Sequence, residues 1–140
     1  MSAPTGSGVL VGEDGLVRAF VAERLGERFS PTARAIGSVK DGRLIGGVIY
    51  DNYRDGWLEM SCAGEPGWLS KGRLAVIFGY PFLQLNCRGV FALVKRRNER
   101  SRRLVMGLGW RRPYGVPEGF EDDDMVIYTM LRRECRWLEG

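Results

Sequence analysis

Glu59 lies in the run Trp57-Leu58-Glu59-Met60-Ser61-Cys62, alternating with apolar Leu58 and Met60 on a strand-like segment. A carboxylate there could act as a general base, directly or through water; the plainer role is a solvated or ion-paired residue. The chain has no histidine, and its three cysteines, Cys62, Cys87 and Cys135, are widely spaced. That removes a His-based triad, a His-ligated metal and a structural zinc site. Acid–base chemistry therefore falls to Asp, Glu, Tyr, Ser, Cys, Lys, the backbone or water. Cys62 reads as a small core residue, reactive only if exposed. Tyr128 on the last strand could approach a substrate channel, with packing as the plainer role. Lys95, Arg96, Arg97, Arg100, Arg102, Arg103, Arg111 and Arg112 fall within eighteen residues, with Glu99 as the only acid. Such a run reads either as a phosphate-facing surface or as a solvated helix face opposite the acidic Glu121–Asp124. The solvated face is the favoured reading, and nucleic-acid binding the less favoured one.

The elements that must position these groups follow from periodicity. Val9–Val11 suits a short strand, with Met1–Gly8 as a loose start. Asp14 suits an N-cap for a helix over residues 15–26, where Leu16, Val17, Phe20, Val21 and Leu25 share a face. Ile36–Val39 and Leu44–Tyr53 flank Asp41-Gly42, a hairpin signal. The second of these is nearly continuous in apolar residues, as in a strand buried on both faces. Arg54-Asp55-Gly56 is another turn, and Trp57–Ala63 a third strand. Leu69–Leu85 is the most apolar segment and predicts a central helix bent or ended by Pro81. Val90–Val94 follows as a buried strand, so strand, helix and strand imply a right-handed parallel crossover. Asn98 caps a helix that ends near Leu108 at Gly109. Trp110–Val116 is a possible strand, Glu118–Asp124 an acidic loop and Met125–Leu131 a last strand.

A length of 140 residues suits one domain, with residues 1–8 as a flexible N-terminus and 132–140 as a polar C-terminal tail. Exposed Trp137 and Leu138 in that tail hint at a homodimer contact. The hydrophobic fraction of 44% and net charge of +4 are ordinary for a globular chain. No apolar run approaches the ~20 residues that span a bilayer. No secretory signal is visible, so a cytoplasmic, membrane-free protein is expected.

The stretch Leu85-Asn86-Cys87-Arg88-Gly89-Val90, then Asn98-Glu99-Arg100-Ser101-Arg102-Arg103-Leu104, then Leu108-Gly109-Trp110, resembles the GNAT acyltransferases. The resemblance is greatest to the branch that includes ribosomal-protein N-terminal acetyltransferases. Tyr80-Pro81-Phe82 is similar to that branch's "y-a-F". Asp124-Met125-Val126-Ile127-Tyr128-Thr129-Met130-Leu131-Arg132-Arg133-Glu134 is similar to its closing pattern. The resemblance implies an α/β (α+β) GNAT fold: a mixed central sheet of about six to seven strands with one splayed parallel pair, and about four helices. It implies acetyl-CoA in the splay, with the pantetheine arm along Met60, Ser61 and Cys62. The phosphates would lie near the following helix start, at Leu69, Ser70 and Lys71. It places Asn98 on the pantetheine arm and Ser101 near the sulfur, where close packing is the competing role for Ser101. Arg102 in the basic run would face the cofactor's phosphate. Three positions depart from the pattern. Glu65 stands where a cation is usual, Trp68 where a small residue is, and Val105 where many members carry a proton-donating tyrosine. The implied activity is acetyl-CoA-dependent transfer of an acetyl group to an amine acceptor left open. The alternative is a catalytically inactive GNAT-fold protein that binds a protein or nucleic-acid partner through its arginine-rich face.

Overall fold

The computed structural model describes residues 8–138. Its strands and α-helices run β1 (Gly8–Val11), α1 (Asp14–Leu25), β2 (Arg34–Lys40), β3 (Arg43–Arg54), β4 (Trp57–Gly64), α2 (Lys71–Gly79), β5 (Gly89–Lys95), α3 (Glu99–Leu108), β6 (Arg111–Phe120) and β7 (Asp123–Leu131). The seven strands form one sheet in the order β1-β2-β3-β4-β5-β7-β6. All neighbours are antiparallel except β4 and β5. This is the expected mixed sheet with a single parallel pair.

Local chemistry explains the turns. Asp41 and Gly42 between β2 and β3, and Asp55 and Gly56 between β3 and β4, all have positive φ. Two such central residues make the type I′ turn that matches strand twist. β3 is buried on both faces, and its side chains alternate between two cores. Ile49 packs with Val17 and Val21 of α1, whereas Val48 and Tyr50 join Leu74, Ile77 and Phe78 of α2. A register pair of glycines, Gly37 and Gly47, lies under α1. A Cβ at Gly47 would fall 2.5 Å from a Val17 methyl, so their absence lets the helix approach the sheet.

The apolar segment is divided, with the break at Pro81 where one was expected. Ser70 caps α2, its Oγ accepting from the Arg73 N–H at 3.2 Å. Regular α-helix stops at Gly79, and Tyr80–Gln84 forms a π-helical turn closed by the Leu85 N–H donating to the Tyr80 carbonyl. Pro81 has no N–H to give the Ile77 carbonyl four residues back. The buried Tyr50 hydroxyl donates to that carbonyl instead, at 2.7 Å.

Three expectations are corrected. Asp14 is the first residue of α1 rather than its cap, and its carboxylate accepts from the Ala35 N–H of β2 at 3.0 Å. The acidic stretch is not a loop: β6 runs to Phe120 and β7 begins at Asp123, so most of Glu118–Asp124 lies in hairpin arms. Distant cations make this tolerable. Asp122 meets Lys95 at 3.2 Å and Arg97 at 2.7 Å. Trp137 and Leu138 are not free but pack against the main core, with Trp137 Nε1 donating to the Leu108 carbonyl at 2.9 Å. The apolar pair on which a dimer contact was expected is thus occupied within the chain. The expected loose start falls mostly on residues 1–7, outside the described residues. No helix among the described residues is long and apolar enough to cross a membrane.

Candidate active site at the splayed strands

β4 and β5 pair only through Trp57–Gly89, Leu58–Val90 and Glu59–Phe91. Beyond that point β4 runs on to Gly64 and β5 to Lys95 without pairing. β4 remains paired to β3 as far as Gly64, so only its β5-facing edge loses partners. Unpaired strand amides and carbonyls require other partners, and an extended amide chain can supply them.

The gap is a narrow cavity of about 50 Å³. Met60, Ser61 and Cys62 of β4 line one side, and Ala92, Leu93 and Val94 of β5 the other. Asn98, Ser101 and Val105 of α3 also line it. Asn98 Oδ1 accepts from the Ser101 N–H at 3.1 Å, capping α3, which leaves the amide's N–H₂ end as a donor. The Ser101 hydroxyl has no partner among the described residues. Val105 is buried and apolar, so no phenol reaches the gap from that helical position. Burial pushes the Cys62 thiol up to about 12, which makes it a neutral wall residue rather than a nucleophile.

The gap widens into a mouth of about 830 Å³ between the Gly64–Leu69 segment and the first turns of α3. Arg24, Arg100 and Arg103 line it. Glu65, at a position where the resemblance calls for a cation, is neutralised by Arg24 at 3.3 Å and Arg43 at 3.2 Å. Trp68 does not fill the splay. Its indole lies on Gly46 and Gly64, a register pair on β3 and β4, and is only 6% exposed. It forms a wall shared by the gap and the mouth.

Six of the residues expected at the site come together at the gap: Met60, Ser61, Cys62, Leu69, Asn98 and Ser101. Four others lie elsewhere. Glu59 lines an adjoining cavity of about 110 Å³, its carboxylate accepting from Asn52 Nδ2 at 2.8 Å, and burial raises its pKa. Ser70 is exposed and spent on its cap, beside a groove with Arg73. The Arg73 guanidinium donates to the Gly8 and Val39 carbonyls. Lys71 is exposed. Arg102 turns back so that Nε donates to the Arg96 carbonyl at 2.7 Å. Sequence reasoning named Arg100 and Arg103 only within the basic run and missed Arg24 at the mouth. It also missed Leu25, Glu27, Leu108 and Trp110 in the gap, and placed Lys95 only in the basic run. For Glu27 a faint signal existed: Gly26, at φ 65, ends α1 in the left-handed conformation typical of a helix C-terminus.

A sheet with one parallel strand pair that parts midway, backed by α2 and flanked by α3, is the GNAT acetyltransferase fold. Solved structures bear this out. A variant of the spermidine N-acetyltransferase SpeG from Vibrio cholerae superimposes with a TM-score of 0.69 at 16% identity, covering 97% of this chain and 98% of that one. The ribosomal-protein-S5-alanine acetyltransferase from Vibrio fischeri gives 0.66 at 14% identity, over 94% and 93%. A GNAT-family acetyltransferase from Bacillus anthracis gives 0.60 at 16% identity, over 71% and 67%. In several other acetyltransferase structures the chain spans 63–64% of the solved length. No protein-family model and no curated protein sequence matches the chain, so the likeness is one of fold.

Proposed function

We propose that this protein is an acetyl-CoA-dependent N-acetyltransferase acting on an amine. The observation that carries the reading is the parting of β4 from β5 after Glu59, which leaves the Met60–Gly64 edge open beside Asn98 and Ser101. The residues present suit the cofactor in three respects. The open strand edge matches an extended diamide. The apolar gap is narrow enough to exclude bulk water around a thioester. The three arginines at the mouth match phosphates. When bound, the thioester supplies an activated acetyl carbon. Met60–Cys62 would hold the pantetheine arm through backbone groups, Asn98 would orient it through its amide N–H₂, and Arg24, Arg100 and Arg103 would hold the phosphates. The Ser101 hydroxyl, partnerless at the junction of gap and mouth, would hold a proton beside the sulfur.

The competing non-catalytic reading rested on an arginine-rich face. Much of that face is turned onto the chain itself. Lys95 and Arg97 meet Asp122, Arg112 meets Glu134 at 2.6 Å, and Arg102 donates to the Arg96 carbonyl at 2.7 Å. The catalytic reading is tested by melting the protein with and without acetyl-CoA, then measuring free-thiol release over a panel of amines and peptides. Cofactor at 100 times its dissociation constant should add about 2.7 kcal/mol, or roughly 8–11 °C for a chain of this size. No shift at millimolar acetyl-CoA contradicts the reading.

A further inference from the structure

The geometry points to Glu27 as the general base that takes the proton from the acceptor amine. This rests on the transferase reading above. Glu27 is the only carboxylate among the described residues that lines the gap between β4 and β5. It also lines the adjoining cavity that holds Glu59, Asp51 and Asn52, and the two cavities share Ser61 as well. Glu27 therefore stands where the gap meets a second cavity, one that none of the mouth's three arginines lines. An amine arriving through that cavity would meet its carboxylate where the cavity joins the gap that Ser101 also lines.

The backbone fixes this placement. The left-handed Gly26 ends α1, and the N–H groups of both Gly26 and Glu27 donate to the Ala22 carbonyl, at 2.9 and 3.3 Å. The helix cap thus sets the direction of the half-buried Glu27. Its carboxylate has no hydrogen-bond or ion-pair partner among the described residues, whereas Glu59 and Glu65 are both engaged. The charged groups that act on it are Lys95 of β5, Glu59 of β4 and Asp122 of the β6–β7 turn; Arg28 and Asp51 line the same adjoining cavity. Burial raises its pKa, Lys95 opposes the rise, and the two acids add to it. A carboxylate raised in this way is a better proton acceptor near neutral pH.

An alkylammonium sheds two protons as it becomes an amide. One passes to the Glu27 carboxylate before the nitrogen lone pair forms the new N–C bond. The second leaves with the thiol as the C–S bond breaks, by way of the Ser101 hydroxyl or water. Glu27 then returns its proton to solvent.

The test is Glu27→Gln, assayed for turnover across pH 6–10 beside cofactor binding by thermal shift. A positioned base contributes about 10²- to 10⁴-fold. Turnover near neutral pH should fall at least 100-fold by that estimate. The deficit should narrow as pH rises and the free amine becomes abundant, while the acetyl-CoA-induced melting shift stays unchanged. Independently, the Glu27 carboxyl carbon in the wild-type protein should titrate by NMR above the exposed glutamates. A variant that matches wild type across the pH range overturns the assignment of Glu27 alone, as does a Glu27 carboxyl that titrates with the exposed glutamates. A wild-type protein that binds coenzyme A but acetylates no amine overturns the transferase reading, and this assignment with it.

Discussion

Gly64→Ala probes the wall of the splay most sharply. A Cβ at Gly64 would lie 2.5 Å from Trp68 Cδ1, where 3.4–4 Å is ordinary contact, so the ring must retreat by about 1 Å. It cannot settle deeper, because the indole already rests on the bare backbone of Gly46, where an added Cβ would stand 2.8 Å from Trp68 Cβ. The yielding sides are the gap, about 50 Å³ in volume, and the mouth that shares this wall. Overpacking of this kind costs about 1–3 kcal/mol. Urea unfolding should show that loss as a lower midpoint at unchanged slope, and coenzyme A should bind more weakly. Trp68→Ala removes the ring and should cost about 3–5 kcal/mol by itself. In that background Gly64→Ala has nothing to strike and should cost at most about 0.5 kcal/mol. The cycle thus has a coupling of about 1–3 kcal/mol. If Gly64→Ala is equally costly with and without the indole, Trp68 does not lie on these glycines and the described shape of the cleft is wrong.

Other outcomes follow from the same geometry. Asn98→Asp keeps an oxygen to cap the Ser101 N–H but removes the amide donor. Stability should hold within about 0.5 kcal/mol, while calorimetry should show weaker coenzyme A binding. Ser101→Ala should lower turnover with little change in cofactor affinity; full activity would assign Ser101 to packing. Glu134 is held at about 2 by the Arg112 side chain and the Leu131 N–H. Its folded-state pKa lies below the unfolded value, so its contribution is complete above about pH 4.5 and fades as pH falls toward 2. Glu134→Gln should therefore destabilise the protein at pH 7 and flatten acid unfolding between those limits, as followed by circular dichroism.

Parts of this site were legible because the deciding interactions are local. Asp41-Gly42 and Asp55-Gly56 dictate their turns, and Asn98 and Gly109 mark both ends of α3, with partners only a few residues away. The strand edge at Met60–Cys62 was located through resemblance, and the structure places those residues at the gap. What stayed hidden depends on distant pairs. Glu27 meets β5 only once α1 is laid over the sheet. Trp68 finds room because two glycines eighteen positions apart become register partners. Glu118–Asp124 looked like a loop because its charges are balanced by Lys95 and Arg97, more than twenty residues earlier. Arg102 resembled a cofactor contact, but its neighbours Arg100 and Arg103 share the helix face that lines the mouth.

The central claim is that the open edge of β4 receives an extended amide chain. Amide hydrogen exchange at Met60–Gly64, followed residue by residue by NMR during titration with coenzyme A, tests it directly. The account predicts that the β5-facing amides of this segment exchange rapidly in the free protein and become protected, with shifted resonances, on saturation. Amides already protected without ligand, or unchanged at saturating coenzyme A, would contradict it.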